Sequence, residues 1–113
     1  MLPQQSERVD RLFAALADAT RRDLLRRAAL GEHSVSALAQ HYAMSFAAVQ
    51  KHVAVLERAE LVTKRRSGRE QLVRTDVETL REARRALEAL EAVWRDRLER
   101  FGETLADHTK EQA

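Results

Sequence analysis

The last third of the chain carries Leu80, Ala83, Leu87, Leu90, Trp94, Leu98, Phe101 and Leu105 at spacings of three and four residues. Only an α-helix gathers positions so spaced onto one side, so the run predicts a single amphipathic helix from Thr75 or Asp76 to about Asp107. Such a helix is too long for its own domain to cover. With 113 residues the chain can build one modest core, and packing against four short helices leaves much of the stripe in water. A second copy is the simplest cover, because a two-fold dimer closes such a face by self-complementation. The N-terminal and C-terminal helices are therefore expected to form the interface between copies, through Leu12, Leu87, Leu90, Trp94, Leu98, Phe101 and Leu105.

Composition narrows the rest. Aromatic content of 4%, with three Gly and one Pro, argues against a sandwich or barrel and for a mainly helical chain. The absence of cysteine excludes disulfides, thiolate metal sites and thiol redox sensing. No run of 18 apolar residues occurs, and the first residues lack the apolar stretch of a secretory signal, so a cytoplasmic protein with no membrane partner is expected.

Upstream of the long helix, Val9, Leu12, Phe13 and Leu16 predict a first helix from about Ser6 to Ala17, with Ser6 as its cap. Thr20 is expected to cap a second, whose face is Leu24, Leu25, Ala28 and Ala29 and which Gly31 ends in a left-handed conformation. Ser34 or Ser36 opens a short third helix with Val35, Leu38, Ala39 and Tyr42. Ser45 opens a fourth, to about Ala59, with Val49, Val53 and Leu56 on its buried side. Leu61 to Arg65 and Glu70 to Arg74 are β-capable runs joined by a glycine-containing turn. Thr75 and Glu78 have the spacing of a capping box for the last helix. The expected fold is mainly α with a small β-hairpin: a winged helix-turn-helix in the order α-α-α-α-β-β-α, forming a single domain over residues 1–113. The helix-turn-helix occupies 34–59 and the wing 61–74.

Charge is distributed to match. Residues 45–75 hold 7 Lys/Arg against 3 Asp/Glu, a balance of +4, whereas residues 76–113 hold 7 against 10, a balance of −3. A basic middle suits a polyanion and an acidic tail suits another task. The B-DNA major groove is about 12 Å wide and admits one helix, whose inserted side needs small or hydrogen-bonding residues. Ala47, Gln50 and Lys51 meet that need: Gln50 can pair with adenine, Lys51 can reach guanine or phosphate, and Ala47 can meet a thymine methyl. Ser45 at the helix start suits a phosphate. Lys64, Arg65, Arg66 and Arg69 place four cations on one ribbon, for phosphates or a minor groove. His52 is read as a packing residue bracing this helix against the wing, with a phosphate contact as the competing role.

These segments, Leu12 to Leu25, Ser34 to Val62 and the wing KRRSGREQLV, resemble the ArsR-type (arsenical-resistance repressor) transcription regulators over nearly the whole chain. The most specific part is Ser45-x-x-x-Val49-x-Lys51-His52-x-x-x-Leu56 followed by Ala59-Glu60-Leu61-Val62. The resemblance implies a homodimeric, sequence-specific regulator of double-stranded DNA that represses by occluding a promoter at an imperfect palindrome. Ala19, Phe46-Ala47, Gln50 and Glu60 depart from the family's usual Pro, Gln-Pro or Leu-Pro, Ser and Gly; the departures alter base preference and leave the fold. The family's Cys-Val-Cys motif is Ala37-Leu38-Ala39 here, which excludes a thiolate response to arsenic or lead.

No metal or other cofactor is expected. Glu103, Asp107, His108 and Glu111 are the only metal candidates, and His108 is the one imidazole of the last helix, near its end. No nucleophile, base and carboxylate set separable from helix capping occurs, nor a glycine-rich phosphate loop, so an enzyme has no positive support. Two other readings stay open: a helical dimeric interaction protein that has lost DNA binding, and a metal or small-ligand sensor with its input at the dimer interface. An unidentified small-molecule effector belongs to the latter.

Overall fold

The computed structural model describes residues 4–112. The element order is α1 (Gln4–Leu16), α2 (Ala19–Leu30), β1 (His33–Ser34), α3 (Val35–Ala39), α4 (Phe46–Arg58), β2 (Val62–Ser67), β3 (Glu70–Thr75) and α5 (Val77–Gln112). By its contacts the chain divides into two compact units, one up to Ala83 and one from Arg84 onward. No helix among the described residues is long and apolar enough to cross a membrane.

The first unit is built by local chemistry at each helix start. A helix leaves its first amide groups without partners, and a side-chain oxygen that accepts from one of them fixes the boundary. Ser34 does so for α3, accepting from the Ala37 amide at 3.0 Å, and Ser45 does so for α4, accepting from the Ala48 amide at 3.1 Å. Ser45 is the cap expected, and Ser34 is the one used of the two candidates, Ser34 and Ser36. At α2 the cap is Asp18, which accepts from the Arg21 amide at 3.0 Å and displaces Thr20 from that role. A carboxylate also suits the positive end of the helix dipole. The Arg21 amide bond holds the Asp18 carboxyl below the usual carboxylate range, helped by the Arg21 charge.

Three further boundaries differ from expectation. Helix α1 begins at Gln4, so Ser6 lies within it. Asp76, one of the two starts expected for α5, caps it by accepting from the Thr79 amide at 3.2 Å, in place of the Thr75 and Glu78 capping box. Thr75 is buried and donates its hydroxyl to the Leu25 carbonyl at 2.7 Å, tying the wing to α2. The left-handed helix end falls at Glu60, with φ 62°, while Gly31 is extended with φ 164°.

The hairpin is joined by a third strand that the sequence did not announce. All pairings are antiparallel in the order β1-β3-β2, with His33 opposite Val73 and Ser34 opposite Leu72. Strand β1 is only two residues long, too short for an alternating pattern to register. At the wing tip Gly68 adopts φ 60°, the first position of a two-residue turn where only glycine is unstrained.

The core gathers Leu12, Leu24, Leu38, Val49, Val53, Leu56, Leu61 and Val73, all nearly or wholly inaccessible. Leu12 was expected between copies; it is fully buried within its own unit, because the inward side of α1 packs on α2. Ala83 is the last core residue. In the second unit, α5 runs to Gln112, past the expected end near Asp107, and exposes Leu87, Leu90, Val93, Trp94, Leu98, Phe101 and Leu105, each more than half accessible.

Candidate nucleic-acid interface

Helix α4 owes its two-sidedness to spacing. Val49, Val53 and Leu56 are buried at i, i+4 and i+7, which leaves Ala47, Lys51, Ala54 and Arg58, also spaced by four and three, on the opposite side. Ala47, Lys51 and Arg58 are exposed and Ala54 is half-buried. Two alanines in that stripe keep it low, so a groove wall could approach the helix backbone closely. Gln50 is exposed on the flank facing the wing, where a cavity of about 250 Å³ is bordered by Phe46, Gln50, Val53, Lys64 and Arg69. Ser45 caps the helix start, its hydroxyl committed to the Ala48 amide.

The four wing cations do not act as one group. Alternation along β2 puts Lys64 and Arg66 on the side of Val62 and Val73, and Arg65 on the other side with Arg74 and Leu72. Lys64 pairs with Glu57 of α4 at 3.3 Å, and Arg65 is held by both carboxylate oxygens of Glu32 at 2.8 and 3.1 Å. That fork-on-carboxylate contact draws the Glu32 carboxyl below its usual range and raises the Arg65 guanidinium. Arg66 donates to the Gly68 carbonyl at 3.3 Å and has no carboxylate partner among the described residues, nor has Arg69. Two of these four cations are thus already paired with carboxylates within the chain. Glu32 lies 33 residues from Arg65, and Glu57 sits on a different element from Lys64, so no spacing rule within one element could have found them.

His52 braces in a direction other than the one expected. Its Nδ1 lies 3.3 Å from an Arg21 nitrogen and 3.9 Å from Asp18, so it joins α4 to the start of α2 and not to the wing. Arg21 also donates to the Ala15 and Ala14 carbonyls at 2.7 and 3.0 Å, closing the end of α1. Beside it, Asp23 accepts from Tyr42 at 2.6 Å and from Arg26 and Arg27 at 2.8 and 2.9 Å. The Tyr42 hydroxyl and then the two guanidiniums hold Asp23 well below the usual carboxylate range, and burial with the Asp23 bond pushes Tyr42 up to about 12. This cluster pins α2 to the turn after α3.

The end of α4 is fastened separately. Arg8 of α1 reaches Glu60 at 2.7 Å and Glu82 of α5 at 2.6 and 3.0 Å, raising its guanidinium further above its ordinary value. Among the described residues no group of three or more His, Cys, Asp or Glu is placed to hold a metal ion.

No family model matches the chain. Among curated proteins, the HTH-type transcriptional regulator Rv2034 of Mycobacterium tuberculosis is 40% identical over 67 residues, 59% of this chain and 63% of that regulator's length. The chain therefore spans a little under two thirds of that relative. Solved structures match more fully. A homodimeric winged helix-turn-helix DNA-binding domain from Mycobacterium bovis is 31% identical over 80% of both chains, with a TM-score of 0.62. An ArsR-like transcriptional regulator from Rhodococcus sp. RHA1 is 32% identical, covering 85% of this chain and 91% of its own, with a TM-score of 0.75. With identity of that extent on the same helix-turn-helix and wing, this chain belongs to the ArsR family of transcriptional regulators.

Proposed function

We propose that the protein is a homodimeric, sequence-specific repressor that binds an imperfect palindrome in double-stranded DNA and acts in the cytoplasm. The observation that carries the reading is the outer stripe of α4: a row of small, polar and basic residues, Ala47, Lys51, Ala54 and Arg58, beside a ribbon on which Arg66 and Arg69 are unneutralised. A helix with that side can enter the major groove, and cations flanking it can meet the backbone on either side. Gln50 reads a base edge, Lys51 a base or phosphate, Ala47 a thymine methyl, and Ser45 lends its end of the helix to a phosphate. Lys64 and Arg65 reach DNA only by leaving Glu57 and Glu32. His52 acts by fixing the angle of α4 from the side of α2, and touches phosphate only if it leaves Arg21.

Dimerisation rests on the exposed strip Leu87, Leu90, Trp94, Leu98, Phe101 and Leu105, a patch that a second copy would close. The homodimeric relative from Mycobacterium bovis supports dimerisation as such. Two readers related by a two-fold axis recognise half-sites about one helical turn apart, hence the palindrome.

The test is fluorescence anisotropy with the DNA upstream of the protein's own gene and with a scrambled duplex, across a salt series. Selective binding that weakens steeply with salt is expected. Equal, weak and salt-insensitive binding to both duplexes by an intact dimer sinks the reading in favour of an interaction protein. Replacing Gln50 with Ala should cut discrimination between the duplexes by about 1–3 kcal/mol per half-site.

A further inference from the structure

A second cavity, of about 310 Å³, lies on the side of α4 away from the wing and shares only Arg58 with the candidate DNA-reading side. Its floor is apolar, made by Ala15 of α1 and by Val55 and Ala59 of α4. Around it stand three arginines from three helices, Arg11 of α1, Arg21 of α2 and Arg58 of α4, and among the described residues no carboxylate borders it. Arg21 is committed, since its guanidinium is spread over the Ala14 and Ala15 carbonyls and His52, with Asp18 at 3.9 Å. Arg11 and Arg58 are not: among the described residues neither has a hydrogen bond or ion pair. Elsewhere in this unit Arg8, Arg26, Arg27 and Arg65 hold carboxylates, whereas among the described residues Arg66 and Arg69 of the wing, like Arg11 and Arg58, hold none. Two unneutralised guanidiniums over an apolar floor define a ligand with a negative head and a hydrophobic body.

We propose that this cavity binds a small monocarboxylate with an apolar body, of the size of an aromatic or short-chain aliphatic acid. The guanidinium fork matches a carboxylate in two parallel hydrogen bonds, and the volume is at the lower end of small-molecule sites. Inorganic phosphate satisfies the cations but leaves the Ala15, Val55 and Ala59 floor uncovered. The site is placed to be felt by the DNA reader, because Val55, Arg58 and Ala59 are the last turn and cap of α4 and Arg21 is the partner of His52. Occupancy therefore favours one setting of α4 over another; this consequence, unlike binding itself, rests on the proposed DNA-binding function.

Binding is tested on the full chain without DNA, so the result is independent of that function. Amide shifts of the 15N-labelled protein are followed with sodium benzoate and with hexanoate, and with benzamide and inorganic phosphate as neutral and non-apolar comparisons at constant ionic strength. The expected result is saturable shifts clustered at Ala14, Ala15, Val55 and Ala59 for a carboxylate, with benzamide and phosphate weaker by about tenfold or more. An Arg11→Gln/Arg58→Gln variant should lose about tenfold in carboxylate affinity with an unchanged melting temperature, since neither side chain supports the fold. Carboxylates that bind no better than benzamide, or shifts that do not cluster at the cavity, overturn the proposal. So does a variant that binds benzoate normally. Phosphate binding as tight as benzoate overturns it too, and makes Arg11 and Arg58 a general anion site with no use for the apolar floor.

Discussion

Glu60 occupies a position that physical chemistry reserves for glycine, and the cost can be measured. After α4 the Leu61 amide donates to the Leu56 carbonyl at 2.9 Å and the Glu60 amide to the Glu57 carbonyl at 2.9 Å, the paired bonds of a Schellman helix end. That geometry requires a left-handed residue between, and Glu60 supplies it at φ 62°. A side chain there costs about 1–2 kcal/mol against glycine, of which glycine's greater unfolded freedom returns about 0.5–1 kcal/mol. Comparing Glu60→Gly with Glu60→Ala isolates the backbone effect, since both lose the Arg8 contact equally. The glycine variant should be more stable by about 1 kcal/mol, or about 4–8 °C in Tm, at one fixed protein concentration. Thermal unfolding by circular dichroism decides it. If the alanine variant melts at or above the glycine variant, Glu60 is not held in a strained conformation and the account of the helix end fails.

Leu56→Ala, at a fully buried site on α4, should cost about 3–5 kcal/mol through lost transfer energy and a residual cavity; urea denaturation showing under 1 kcal/mol would mean the core is not packed as described. On the wing, Arg66→Ala/Arg69→Ala should reduce the log–log salt slope of DNA binding by about 1.8 per subunit, whereas Arg65→Ala should change it little, because Glu32 already holds Arg65. A larger effect from Arg65 than from the pair contradicts the division of wing charge. Acid should destabilise the fold. Asp18, Asp23 and Glu32 are all held below their ordinary values, so the unfolded chain takes up protons first and stability falls as pH drops from the ordinary carboxylate range through the lowered folded values. Asp23→Asn should flatten that fall in an acid titration followed by circular dichroism, and an unchanged titration curve argues against the Asp23 cluster. Tyr42→Phe, which removes the bond to Asp23, should cost about 1 kcal/mol at neutral pH in the same denaturation assay.

What the sequence determined is what local chemistry and periodicity can encode. The apolar stripe from Leu80 to Leu105 specifies a long helix whose outer part stays exposed, Ser34 and Ser45 specify two helix starts, and Gly68 specifies a tight hairpin turn. The two-sidedness of α4 follows from Val49, Val53 and Leu56 alone. The tertiary structure decided whatever depends on partners far away along the chain. Thr75 and Asp76 are both competent caps, and burial of Thr75 against the Leu25 carbonyl left the role to Asp76. Strand β1 exists because β3 offers it an edge. The four wing cations look alike in sequence, yet Glu57 and Glu32 neutralise two of them and leave Arg66 and Arg69 without carboxylate partners among the described residues. Charge is written residue by residue, but whether a charge is spent on a neighbour or left for a ligand is settled only when the chain folds back on itself.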